Sequence, residues 1–200
     1  MLRLNNIENK IGPGEIFFIS DFAEASNYEA TRKALQRLTK DGVIERLAKG
    51  IYFLPKKHAQ FGTIYPHAEK IAKAIAKRDK ARIIATGSTA LNQLGLSTQI
   101  PLKHVFLTDG STRNIKIGKQ SILFKKTNPK NLSIHNSLAN LIVQALKTIG
   151  EQNVSSKQLD EIHTIIRESG EVKHVFEELK NAPIWIQKAI VKHEKLANPT

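Results

Sequence analysis

The chain has no cysteine, which excludes disulfides, thiolate metal sites and cysteine nucleophiles. No run comes near the roughly eighteen apolar residues a membrane-spanning helix needs. The amino terminus has no signal-peptide pattern, so a cytoplasmic location is expected. Internal repeats, low-complexity tracts and a glycine-rich phosphate loop are all missing. The histidines at 58, 67, 104, 135, 163, 174 and 193 are scattered, with no pair at the helical i, i+4 spacing of a zinc site. No metal or cofactor is therefore expected. Carboxylates are scarce where a catalytic centre would need them, because Asp109 is the lone acid between residues 80 and 130.

What remains is a basic chain of 200 residues, 40% hydrophobic, with a net charge of +13. That length suits one large domain or two small ones, each able to bury a core. The charge is uneven. Residues 1–60 hold 10 Lys/Arg against 7 Asp/Glu, residues 61–130 hold 13 against 3, and residues 131–200 hold 8 against 8. An excess of +10 over residues 61–130 suits a polyanionic partner, since each phosphate that is neutralised releases condensed counterions.

Residues 20–55, SDFAEASNYEATRKALQRLTKDGVIERLAKGIYFLP, organise the rest. Ser20 opens a short helical turn around Phe22 and Ala23, and Asn27 is placed to cap the next helix. Over 28–40 the inward positions are Thr31, Ala34, Leu35 and Leu38, the spacing of one helical face. Asp41-Gly42 ends that helix. Val43-Ile44 and residues 51–54 read as two strands turned at Ala48-Lys49-Gly50. Helix, turn, helix and basic hairpin spell a winged helix-turn-helix, which lays its second helix in the DNA major groove.

The polar face of the second helix carries Glu29, Arg32, Lys33, Gln36 and Lys40, with Arg37 at its margin and Asn27 and Tyr28 at its start. Arg and Gln have the geometry to read guanine and adenine edges, and Lys reaches phosphate. Arg46 and Lys49 place basic side chains on the wing.

Leu2, Leu4 and Ile7 form a short amphipathic stretch before Gly12-Pro13-Gly14, and Ile16 to Ile19 is a short strand or a buried entry to the helices. Residues 56–62 read as a linker. A helix over 67–77 turns Ile71, Ala72, Ala74 and Ile75 inward and Lys70, Lys73, Lys77 and Arg78 outward. Beyond it come a strand at 82–86, a short helix from Gly87 to Gly95, a strand at 103–108 and a hairpin of 113–117 with 120–126 turned at Gly118-Lys119. Helices follow at 137–149, 155–168 and 172–195, the last broken at Pro183 and anchored by Trp185. Lys116 and Lys119, with Lys125 and Lys126, are expected to join the cations of the 67–77 helix on the same DNA.

Gly87-Ser88 after a strand, with an acid about twenty residues on, also fits the nucleotidyltransferase arrangement, in which Ser holds a phosphate and two or three carboxylates hold Mg²⁺. Asp109 alone cannot build a two-metal site. The competing assignment is that Gly87 and Ser88 shape a strand-to-helix turn and that Asp109-Gly110 is itself a turn.

The winged helix ending in RLAKGIYFLP, then ATGSTALNQLGL, then HVFLTDGSTRNIKIG, resembles the AbiEi-type antitoxins of type IV toxin–antitoxin systems over roughly residues 10–150. The resemblance implies an amino-terminal domain that binds promoter DNA and a larger carboxy-terminal domain that serves antitoxicity. It also implies repression of the chain's own operon. The implied partner is a nucleotidyltransferase-like toxin, counteracted without a stable complex. The compact length and the helical tail around Trp185 depart from that pattern. The expected architecture is mixed α and β: a winged helix-turn-helix at 1–57, then an α/β domain with carboxy-terminal helices at 64–200. The expected function is a non-enzymatic DNA-binding autorepressor. A nucleotidyltransferase-like enzyme, or a degenerate relative of one, and an RNA-binding or toxin-neutralising protein are the alternatives.

Overall fold

The computed structural model describes Ile7 and residues 9–25 and 28–197, and the side chains of 23–25 and 192–197 are left aside. The chain mixes helices and sheets and divides into two units. The first is Met1–Arg78 with Ile115–Lys119, and the second is Asp79–Asn114 with Gln120–Thr200.

The first unit opens with strand β1 (Ile16–Phe18), which runs into a 3-10 helix, Ile19–Ala25. The Asp21 carboxylate, rather than Ser20, serves this turn by accepting the Phe18 N–H at 2.7 Å, so that a side chain satisfies an amide the helix start leaves free. The expected cap Asn27 and the helix-forming Leu2 and Leu4 lie outside the described residues. Helix α1 (Tyr28–Lys40) buries Thr31, Ala34, Leu35 and Leu38, the face its spacing predicts. Gly42 at φ 69° takes the left-handed conformation that ends it. Val43 and Ile44 are not a strand, because both amides return to the Leu38 carbonyl, at 3.0 and 3.4 Å. Strand β2 (Glu45–Ala48) starts after them and pairs antiparallel with β3 (Ile51–Phe53). β1 pairs on the other side of β3, giving the order β1-β3-β2. Ile7, Phe17, Phe22, Leu35, Leu38, Ile44, Tyr52 and Leu54 form the core between helix and sheet. Within it Phe17 meets Phe22 edge-on and stacks on Tyr52, each at 5.8 Å.

Residues 56–62 are not a linker. Strand β4 (Lys56–His58) and β5 (Gly62–Ile64) pair as an antiparallel hairpin. Helix α2 (Ala68–Arg78) buries Ala68, Ile71, Ala72, Ile75 and Ala76, while Ala74 is half-buried. The sequence reading begins the second domain at 64, yet residues 64–78 belong to the first unit. Two contacts hold them there. Lys70 Nζ donates to the Gly14 carbonyl at 2.8 Å, and the Arg78 guanidinium lies 4.4 Å over the Phe18 ring.

The second unit holds β6 (Ile83–Thr86), α3 (Ser88–Gln93), β7 (Lys103–Thr108) and β9 (Gln120–Lys126), while β8 (Arg113–Ile117) starts in it and counts with the first unit from Ile115. The sheet order is β6-β7-β9-β8. β6 is antiparallel to β7, and β7 is parallel to β9 with Phe106 opposite Phe124. Helix α4 (Ser137–Ile149), capped by Asn136, packs with α3 on β6. Helices α5 (Ser156–Glu168), α6 (Val172–Leu179) and α7 (Ile184–Ala197) complete the unit. Ser155 and Gln158 make a reciprocal capping box at the start of α5. Trp185 is half-buried, and its neighbours Ile186 and Ile190 enter the core.

His104 on β7 is buried, and its Nε2 has no hydrogen-bond partner among the described residues. Burial holds its imidazole below the ordinary 6.5, offset in part by a hydrogen bond with Gln120. The unfolded chain therefore takes up this proton first, and stability falls as pH drops through about 6.5. His104→Gln flattens that part of a pH-dependent melting curve. An unchanged profile would mean that the imidazole charges freely in the folded chain.

Candidate nucleic-acid interface

Burying one face of α1 places the opposite face in solvent. At 100° per residue, Glu29, Lys33, Gln36 and Lys40 line the centre of that outer face, with Arg32 and Arg37 beside them. All six are exposed. Tyr28, at the helix start, is 56% exposed. The core residues Leu35 and Leu38 hold this row against the sheet that carries the β2–β3 hairpin.

Arg32 is already engaged. Its Nε donates to both Glu29 carboxylate oxygens at 3.3 and 3.2 Å, and its Nη2 donates at 3.0 Å. Hydrogen bonding and then charge attraction hold the Glu29 carboxyl below its usual value and raise Arg32. The fork that would read guanine thus lies on a neighbour three residues back, a pairing visible in the sequence spacing. Glu29→Gln should release it. If α1 contacts DNA, affinity should then rise and its salt dependence steepen by roughly one phosphate contact, about 0.9 in slope. Weaker binding by this variant would instead make Glu29 the residue that orients Arg32.

On the hairpin, Arg46 is exposed, and its Nε donates along the strand to the Ala48 carbonyl at 3.3 Å. Lys49 stands exposed at the turn. A bulge between Arg46 and Ala48 shifts the register there, which re-aims the tip.

The cations of α2 are exposed, but three have partners. Lys70 holds Gly14, Lys73 pairs with Glu69 at 2.7 Å, and Arg78 covers Phe18. Partial burial holds the Arg78 guanidinium below its usual value, and its seat over the Phe18 ring makes it part of the fold. Lys77 projects as expected. Lys116 and Lys119 are exposed within 115–119, which belongs to the first unit. Lys125 and Lys126 are exposed as well. They sit at the far end of β9 in the second unit, about 20 Å along the strand from its start at 3.4 Å per residue.

Division into units also relocates the charge. The first unit holds 16 Lys/Arg against 8 Asp/Glu, a surplus of 8, and the second holds 15 against 10, a surplus of 5. The excess of +10 read from residues 61–130 thus divides evenly, +5 to the second unit and +5 to the unit that carries α1. Lys56, Lys57 and His58, missed because the segment reads as linker, add to it. Their signal was the polar strand pair itself, turned before Gly62.

The Gly87-Ser88 turn opens α3, where Thr89 Oγ1 accepts the Val105 N–H at 2.9 Å. Asp109 Oδ1 accepts the Arg82 N–H at 2.8 Å, and Thr108 Oγ1 donates to the Arg82 carbonyl at 2.8 Å. This carboxylate ties one strand end to another.

The sequence profile of a family described as a family of unknown function, DUF6088, matches residues 3–174. No match was found among curated proteins. Among solved structures, the crystal structure of the RV2827C protein from Mycobacterium tuberculosis is similar at 12% identity and a TM-score of 0.45, over 94% of this chain and 79% of that one.

Proposed function

We propose that this chain, which belongs to the DUF6088 family, is a DNA-binding autorepressor of the cytoplasm that acts as the antitoxin of a type IV-like toxin–antitoxin pair. Its first unit works as a winged helix-turn-helix: the Ile19–Ala25 turn and α1 are the two helices, and β2–β3 is the wing. One observation carries the reading. A helix anchored by Leu35 and Leu38 presents Lys33, Gln36 and Lys40 to solvent and leads directly into a hairpin tipped by Lys49. Gln36 and Arg32 read base edges, while Lys33, Lys40 and Lys49 hold phosphates. Antitoxicity against a nucleotidyltransferase-like toxin, through the second unit and without a stable complex, follows from the resemblance to AbiEi-type antitoxins. The engagement of Asp109 with Arg82 favours its role as a turn over metal binding, and with it a non-enzymatic chain.

The test is binding to the DNA upstream of the chain's own gene, against scrambled DNA. Gln36→Ala is expected to cost about 1–3 kcal/mol on the upstream DNA if Gln36 makes a bidentate base contact, with Arg32→Ala falling in the same direction. Lys49→Ala should weaken both DNAs alike and make the salt slope shallower by about one. Equal affinity of wild type and variants for both DNAs would sink the reading.

A further inference from the structure

We propose that the β4–β5 hairpin is a second DNA-contacting arm: Phe61, backed by His58, enters the minor groove as an apolar wedge while Lys56 and Lys57 hold the flanking phosphates. This rests on the reading of α1 as a DNA-recognition helix and adds a contact to the same duplex.

Phe61 is 78% exposed, more than any other large hydrophobic side chain among the described residues. A ring held so far into water stabilises no core. The hairpin is fastened instead at its base. The Tyr65 ring packs on buried Phe53 at 5.4 Å. Its hydroxyl is hydrogen-bonded to Glu45 on β2, which raises the Tyr65 phenol above its usual value. The arm is thus tied to the strands that form the proposed wing, and its tip is free for another task.

That tip is ordered by its own contacts. The Gln60 N–H donates to His58 Nδ1 at 3.2 Å, and the His58 and Phe61 rings lie 4.9 Å apart, tilted by 33°. The ring pair is therefore set before any partner arrives, which lowers the ordering cost of binding. Pairing of Lys56 with Ile64 and of His58 with Gly62 puts Lys56 and His58 on one side of the ribbon, and Lys57, opposite Thr63, on the other. Cations on both sides of an aromatic tip match a groove, with phosphate rows at its edges and stacked bases at its floor. A phenylalanine inserted between base steps from the minor groove unstacks and kinks the duplex.

The experiment uses the full chain and a duplex of its upstream DNA, with 2-aminopurine at successive steps and a dye pair at the ends. Wild type is expected to raise the fluorescence at one step and shorten the end-to-end distance. Phe61→Ala should abolish both changes and weaken binding about tenfold, the scale of a lost aromatic–base contact. Its melting temperature, salt slope and preference for upstream over scrambled DNA should stay as in wild type. Phe61→Leu should restore the kink, because a wedge needs an apolar side chain and not a ring. Lys57→Ala should reduce the salt slope by about 0.9 without removing the kink. If Phe61→Ala binds and bends DNA like wild type while Gln36→Ala loses discrimination, the wedge is wrong and the α1 reading stands. If Phe61→Ala loses affinity for single strands but not for duplex, the tip is a stacking platform and the wedge is likewise wrong. Wild type that binds no duplex overturns both.

Discussion

Leu35→Ala should lower the stability of the first unit and, if α1 is the reading helix, its DNA affinity together. Leu35 is fully buried among Ile7, Phe17, Phe22, Leu38, Ile44, Tyr52 and Leu54, and truncating such a side chain costs about 2–5 kcal/mol in lost burial and residual cavity. The cavity opens under the row of Lys33, Gln36 and Lys40, so α1 loses the contact that aims it. Thermal unfolding and DNA titration on the same sample give the result. A lowered melting transition should accompany lost affinity, whereas Lys33→Ala should lower affinity with an unchanged transition. If Leu35→Ala melts early yet keeps full affinity and sequence preference at a temperature where it remains folded, α1 is not the reading element.

The second large effect follows from where the charge resides. Replacing Lys73, Lys77, Lys116 and Lys119 by Gln removes four exposed cations that all belong to the first unit. If they contact phosphates, the slope of log affinity against log salt falls by about 3 to 4, at about 0.9 per contact. Discrimination between upstream and scrambled DNA should survive, because phosphate contacts carry no sequence information. Lys70 and Arg78 are kept, since their contacts with Gly14 and Phe18 belong to the fold. The matching control is Lys125→Gln with Lys126→Gln, in the second unit, which should leave the slope nearly unchanged. Equal slopes for wild type and the quadruple variant would assign the basic surface to another partner, RNA or toxin among them. A drop in the control as large as in the quadruple variant would extend the footprint to the second unit.

Much of the secondary structure is legible because its causes are local. The face of α1, the turn of the β8–β9 hairpin at Gly118-Lys119, the bounds of β7 and the Ser155 cap of α5 each rest on periodicity, a turn residue or a side-chain cap within a few residues. Two short segments misread because their local signals are weak. Val43-Ile44 looks like a strand by composition, but its amides are spent on the Leu38 carbonyl. Lys56 to Ile64 lacks the apolar alternation of a buried strand and reads as a linker, yet it pairs as a hairpin fastened by Tyr65.

The amino-acid sequence by itself determined which residues α1 turns outward, the basic balance that points to a polyanion, and the want of carboxylates around Asp109. Those follow from spacing and composition alone. Only the tertiary structure decided that α2 joins the first unit, that β7 runs parallel to β9, and that Lys70 and Arg78 are engaged while Phe61 projects. Periodicity tells which face of an element is apolar but not which other element covers it. That choice depends on the fit of surfaces far apart along the chain, and it settles which charges belong to the fold and which are left for a partner.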